Sequence, residues 1–165
     1  MITKNFILRK ATSDDFENLY AAASDPLIWE QHPSQRHIKS VFSEWFELAM
    51  QHGNALIILD KETHQVIGTT RFYDINEQER SVAIGYTFLK REYWGKGANQ
   101  EIKEYLLDYA FHRVNRVWFH IAPANTRSRR AAEKIGAVYS HLGYIQNTPL
   151  EHCFYYIDVA EDKEI

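Results

Sequence analysis

Apolar residues recur along this chain with two periods, and the points where the period changes divide it into strands and helices. Alternation from Asn5 to Lys10 predicts a first strand, and Thr12-Ser13-Asp14-Asp15 supplies the capping oxygens and early acids of a helix start. Ile38, Val41, Phe42, Trp45 and Ala49 fall at helical spacing, in a helix that His52-Gly53 ends. Ala55 to Leu59 and Val66 to Tyr73 read as a hairpin around the polar turn Asp60-Lys61-Glu62-Thr63. Ser81 to Leu89 is the next strand, after which Ile102, Leu106, Tyr109 and Ala110 occupy one helix face. The alternating stretch from Val117 runs into a helix capped by Asn125 and closed by Gly136, and Phe154 to Val159 gives a last strand. This order predicts a mixed α/β domain, a twisted sheet with helices on both faces.

Composition narrows the reading. The chain has 165 residues and lacks a Pro/Gly/Ser linker, an internal repeat or a low-complexity tract, so a single domain over 1–165 is expected. A formal charge of −3 argues against a general nucleic-acid surface, which needs concentrated Lys and Arg. The Arg127, Arg129, Arg130 cluster is local and reads as a solvated helix face or as a contact to a phosphate. Cys153 is the single cysteine and has no internal disulfide partner. No signal-peptide core or bilayer-length apolar run is present, which makes a cytoplasmic protein away from the membrane the expectation. His32 and His37 share no familiar zinc spacing with a Cys or carboxylate pair, so no metal is expected.

The chemistry concentrates at Tyr93-Trp94-Gly95-Lys96-Gly97-Ala98-Asn99, a glycine turn between a strand and an amphipathic helix. Such a turn presents unpaired N–H groups and the positive end of a helix dipole to an anion. A P-loop requires Ser or Thr after the lysine, where this chain has Gly97, and a dinucleotide fingerprint requires a third glycine where it has Gln100. There is no Gly-x-Ser-x-Gly nucleophile elbow either. About thirty residues on, Asn125-Thr126-Arg127-Ser128 opens a second strand-to-helix unit that ends in Glu133-Lys134-Ile135-Gly136.

Together the two units resemble the GNAT N-acetyltransferases, in particular the branch of bacterial ribosomal-protein N-terminal acetyltransferases. In that family the first unit, Gln/Arg-x-x-Gly-x-Gly/Ala, binds the acetyl-CoA pyrophosphate, and the second carries Asn-x-x-Ser/Ala. Here Trp94, Gly97 and Asn99 fill the first pattern, Asn125 and Ser128 the second. The resemblance covers nearly the whole chain and implies the GNAT fold, with a largely antiparallel sheet.

It also implies a site, residue by residue. The main chain of Phe88-Leu89-Lys90 runs beside the pantetheine arm, and the amides of Gly95, Lys96, Gly97, Ala98 and Asn99 surround the pyrophosphate. A backbone N–H at Leu89 stabilises the thioester oxygen as it gains charge. Ser128 resembles the serine of the ribosomal-protein branch and stabilises the leaving thiolate by hydrogen bonding; its alternative role is to cap its own helix turn. Ala132 stands where many members have a tyrosine, and Ala83 where relatives often have a glutamate. His120, near the place of a glutamate base in some relatives, is the candidate base, or a structural strand histidine. Tyr20, Trp29, Trp45, Tyr73, Tyr86 and Tyr93 read as core or pocket wall.

In relatives the acceptor is bound by two loops, here around Trp29 to His37 and Tyr144 to Cys153. The implied reaction is direct attack of a primary amine on acetyl-CoA in a ternary complex, by a monomer or homodimer. The acceptor is a protein N-terminal α-amine or a small amine such as an amino acid, polyamine or antibiotic-like compound. Glu30, Glu44 and Glu47 are acids near the first loop and read chiefly as solvated surface. A catalytically weak CoA-binding or regulatory domain is the alternative from another class.

Overall fold

The computed structural model describes residues 1–145 and 148–160. Strand β1 (Phe6–Lys10) leads through a capping box, in which Thr12 and Asp15 bond reciprocally, into α1 (Phe16–Ala23). A 3-10 turn at Pro26–Trp29 and a polar loop precede α2 (Lys39–His52), which Gly53 closes at φ 72°. Next come β2 (Ala55–Asp60), β3 (Val66–Asn76) and β4 (Ser81–Leu89), then α3 (Ala98–Phe111) and β5 (Arg116–Ile121). Helix α4 (Thr126–Lys134), β6 (Val138–Tyr144) and β7 (Glu151–Asp158) complete the chain.

Among the described residues the strands form one sheet of seven in the order β1-β2-β3-β4-β5-β7-β6. All neighbours are antiparallel except β4 and β5, which are parallel because α3 carries the chain back between them. Two apolar layers sandwich the sheet. Leu8, Ile58, Ile84, Val117 and Tyr155 pack beneath α3 and α4 with Ile102, Leu106 and Ala132. On the opposite face Ala55, Ile57 and Phe88 pack against Leu19, Trp29, Phe42 and Phe46 from the α1–α2 region.

Most predicted boundaries hold to within a few residues, and two do not. Val138–Tyr144 is a strand, β6, that the sequence reading omits: it lies at the sheet edge and is exposed at all but one position, so it lacks an alternating apolar signature. The last strand starts at Glu151, three residues before the predicted Phe154. The late loop is therefore shorter than the span Tyr144 to Cys153, and two of that span's residues, 146 and 147, lie outside the described residues.

Candidate active site

Strands β4 and β5 pair in register at Ser81, Val82 and Ala83, opposite Arg116, Val117 and Trp118. Just beyond, β4 bulges: Gly85 opposes Arg71 and Phe88 opposes Thr69, which leaves one extra residue on β4. Tyr86 sits in that bulge at φ 53°, a left-handed conformation that a bulky residue adopts only when its surroundings hold it there. Past the bulge, β4 remains on β3. The Lys90 N–H donates to the Ile67 carbonyl at 2.8 Å, and strand alternation then turns the Leu89 N–H and carbonyl toward the β5 side. The Leu89 carbonyl accepts from Trp94 Nε1 at 3.0 Å.

After β4 the chain makes a 3-10 turn at Arg91–Tyr93 and then the glycine turn, with Gly95 at φ 70° and Gly97 at φ 80°. A Cβ at either glycine would meet nothing within 4 Å. Backbone conformation therefore demands glycine there, and the space above the turn is open. Gly97 is the N-cap of α3 and supplies no side-chain cap, so the first N–H groups of a 14-residue helix point into that space. Gly95, Lys96 and Gly97 are exposed, while Ala98 is buried against the core. These features fit a pyrophosphate cradle.

The second unit faces the first. Buried Asn125 caps α4 by accepting from the Ser128 N–H at 3.2 Å, so Asn125 does the capping and the Ser128 hydroxyl is not needed for it. Arg127 spans the two units: its guanidinium lies 4.0 Å from the Trp94 ring centre and donates to the Ile28 carbonyl at 2.9 Å, and its N–H donates to Gln31 Oε1 at 3.0 Å. Arg129 donates to the Tyr155 hydroxyl at 3.0 Å, and that hydroxyl donates to Glu133 at 3.1 Å. The expected solvated arginine face is thus corrected. Arg127 and Arg129 fasten α4 to neighbouring elements, and Arg130 alone of the three is exposed.

On the α1–α2 side of the sheet an aromatic and cationic wall runs across the bulge. Arg36 stacks 5.4 Å from the Trp29 ring centre, 5.0 Å from Trp45 and 5.8 Å from Tyr86. Arg71 lies 3.8 Å over Tyr86 and 5.6 Å from Tyr73. Tyr73 crosses β4 over Gly85, where a Cβ would come within 2.9 Å of its ring, and its hydroxyl meets His120 Nδ1 at 2.9 Å. His120 in turn stacks on Phe154 at 4.1 Å. Burial, and then the charges of His152 and His141, hold His120 down to about 4, and burial, together with Arg36, holds His32 down to about 4. A cavity of about 200 Å³ beside His120 is lined by Asp74, Glu79, Trp118, His141 and Phe154.

Most of the predicted site residues fall into two groups that meet at the divergence of β4 and β5: Phe88 to Asn99 on one arm, His120 to Ser128 on the other. Trp29, at the start of the expected acceptor loop, is a core residue, in line with its reading as core or pocket wall, and its indole donates to the Ala23 carbonyl at 2.7 Å. Tyr20, Trp45, Tyr73, Tyr86 and Tyr93 are half-buried, and Glu30, Glu44 and Glu47 are exposed. Sequence reading missed Arg36, Arg71 and Lys103. Arg71 carried a signal, a charge in mid-strand followed by Phe72 and Tyr73, and so did Lys103, beside the apolar stripe of α3; Arg36 in its polar loop carried none. Among the described residues no group of three His, Cys, Asp or Glu is placed to hold a metal ion, and no helix is long and apolar enough to cross a membrane.

Comparison with known proteins agrees with this geometry. The family model described as an acetyltransferase (GNAT) domain matches residues 5–138. An uncharacterized N-acetyltransferase, p20, of Bacillus licheniformis is 30% identical over 136 residues, covering 78% of this chain and 76% of its own. A provisionally assigned ribosomal-protein-serine acetyltransferase from Vibrio cholerae superposes with a TM-score of 0.77 at 17% identity, covering 96% of each chain. A spermidine N-acetyltransferase from Vibrio cholerae, solved with CoA and spermine, superposes with a TM-score of 0.70 at 18% identity, covering 93% of this chain and 95% of its own.

Proposed function

Because this chain belongs to the GNAT acetyltransferase family and is an acetyl-CoA-dependent N-acetyltransferase, we propose that the diverging arms of β4 and β5 hold acetyl-CoA while an α-amine attacks its thioester directly. The carrying observation is the glycine turn at the uncapped N-terminus of α3, set beside the only parallel strand pair of the sheet among the described residues. Acetyl-CoA supplies the activated acetyl group. The amides of residues 95–99 bind its pyrophosphate, with Lys96 adding charge, and the main chain of Phe88 and Leu89 runs beside the pantetheine arm.

The Leu89 N–H, directed away from β3, donates to the thioester oxygen as charge builds there. Ser128 donates to the departing thiolate; with its N–H already held by Asn125, its hydroxyl is available for that role. His120, neutral at physiological pH, is a weak base and serves as a hydrogen-bonding wall for the amine rather than as the principal proton acceptor. Positioning supplies most of the acceleration. The acceptor is an α-amine, of a protein N-terminus as in the ribosomal-protein branch or of a small molecule, and the reaction takes place in the cytoplasm. A peptide α-amine with a pKa of about 7.7–8.0 needs far less deprotonation than a lysine-like amine near 10.4.

Thermal unfolding with acetyl-CoA, CoA and ATP tests the carrier site. At about one hundred times the dissociation constant a ligand adds roughly 2.7 kcal/mol, or about 5–10 °C for a chain of this size. Stabilisation by both CoA species and not by ATP is expected. An equal response to ATP, or none to CoA, refutes the placement.

A further inference from the structure

Four buried side-chain polar atoms among the described residues have no hydrogen-bond partner: Arg36 Nε, His37 Nδ1, Trp45 Nε1 and Arg71 Nε. Three of them are donors on one wall, since Arg36 stacks on Trp45 and both arginines stack on Tyr86. The arginines are deeply buried, with 7% and 8% of their surface exposed. Neither belongs to an ion pair among the described residues; the pairs there are Arg9–Asp15, Lys39–Glu17, Arg91–Asp25 and Arg116–Asp158. Asp74 and Glu79, on the neighbouring cavity, are exposed and pair with neither arginine.

Two desolvated guanidiniums with no carboxylate are expensive, and aromatic stacking offsets only part of that cost. Such an arrangement is completed by an anion from outside the chain, and a guanidinium fork matches a carboxylate. The position is informative as well. Tyr86, which both arginines approach, is the bulge residue just past the last β4–β5 pair at Ala83, and Tyr73, on which Arg71 also leans, bonds His120. Opposite charge is what a polycationic acceptor needs, so this wall repels one.

We infer that the acceptor is an amine bearing a carboxylate, and that Arg36 and Arg71 bind the carboxylate so that the amine faces the end of β4. This specifies the acceptor within the acetyl-transfer reading above and rests on it. Arg71 is a specificity residue that acts on which amine is positioned, with no part in bond making.

The test is kcat/KM for matched pairs: amino acids against their amides, and glutamyl peptides against glutaminyl peptides, with spermidine as the polycation. The amides have the less basic amine and so the larger free-base fraction, which makes a preference for the acid a property of the site. Wild type is expected to favour the carboxylate member of a pair at least about tenfold, and Arg71→Gln to bring the ratio near one while acetyl-CoA still stabilises the protein. Arg71→Lys, which keeps the charge and loses the fork, falls between. Arg36→Gln, checked for folding by the same acetyl-CoA shift, behaves like Arg71→Gln. Preference for a free amino acid identifies a small-molecule acceptor, and preference confined to the glutamyl peptide identifies a protein N-terminus. Equal or better use of the neutral member or spermidine, an unchanged ratio in Arg71→Gln, or no acetylation of any carboxylate amine overturns the inference. Acetyl-CoA stabilisation in those same samples shows that the carrier reading survives.

Discussion

Lys103 is a charge that the fold holds at a cost, and its removal is expected to stabilise the protein. It lies on the core face of α3 with 8% of its surface exposed. Its ammonium donates to Thr87 Oγ1 at 2.8 Å and sits 5.4 Å from the Phe119 ring centre. Burial lowers its pKa from 10.5 to about 7. In the unfolded chain the amine keeps its proton up to the higher value, so between those limits the unfolded state binds more protons and stability rises with pH. At about 1.4 kcal/mol per pKa unit, the ammonium form costs roughly 3–5 kcal/mol at and below neutrality. Lys103→Met retains the length and most of the volume without the charge. Thr87 Oγ1 is not orphaned, because it also bonds Thr70 Oγ1 at 2.8 Å. Allowing about 1 kcal/mol for the lost hydrogen bond, the variant should gain roughly 2–4 kcal/mol at pH 7, or about 5–10 °C. Unfolding of both proteins from pH 6 to 10 reads the difference, which should be nearly constant below pH 7 and shrink from there toward pH 10, as deprotonating the lysine of the unfolded chain costs less and less. A difference that does not change with pH, or a variant less stable at pH 7, refutes the reasoning.

Three further outcomes are expected. Asp15→Asn breaks the paired Arg9 contacts at 2.6 and 2.8 Å and the Thr12 N–H bond at 2.8 Å, and should cost about 2 kcal/mol at pH 7 by urea unfolding. The Arg9 hydrogen bond is the largest cause that lowers the Asp15 pKa, so this contribution is present above 3.8 and is lost as pH falls through the folded value; the two proteins should converge in acid. Gly97→Asp places a β-carbon at φ 80° and a carboxylate over the α3 N-terminus, and should lose about 1 kcal/mol of stability and most of the acetyl-CoA thermal shift; an unchanged shift removes the pyrophosphate placement. Ser128→Ala should lower kcat about tenfold or more with acetyl-CoA affinity nearly unchanged, and wild-type turnover on good acceptors would leave Ser128 a helix residue.

The glycine turn and the α4 cap were legible in the sequence because their geometry is local. A left-handed turn needs Gly95 and Gly97 whatever surrounds them, and Asn125 caps the residue three positions on. The helices and central strands were legible because one face of each meets a core, which imposes a period on their side chains. Edge strand β6 was not, since it is mostly exposed and answers to hydrogen bonding more than to burial. The arginine and aromatic wall was hidden for a different reason. Arg36 and Arg71 are 35 positions apart and meet across Tyr86 only because a loop folds over the sheet. Arg127, read as solvated, is drawn in by Trp94 and by the Ile28 carbonyl, partners from two other segments.

The same wall bears on deprotonation of the acceptor, which the sequence left without a clear base. His120 is held near 4, and burial raises the Tyr73 hydroxyl far above its usual range, so neither takes up an amine proton readily at neutral pH. With an acceptor bound as inferred above, the two guanidiniums would work in the required direction by another route, since positive charge disfavours an ammonium and lowers its pKa. A peptide α-amine is about two fifths to one quarter free base at pH 7.5 before any such help, against about one part in a thousand for a lysine-like amine. The acid limb of kcat/KM should therefore follow the pKa of the acceptor amine, moving when the acceptor is changed. It should keep its midpoint in His120→Gln even if the rate falls, because that variant removes a wall and leaves the titrating group in place. A limb fixed near 4 for every acceptor, or one abolished in His120→Gln, would make His120 the base and the guanidiniums bystanders in proton removal.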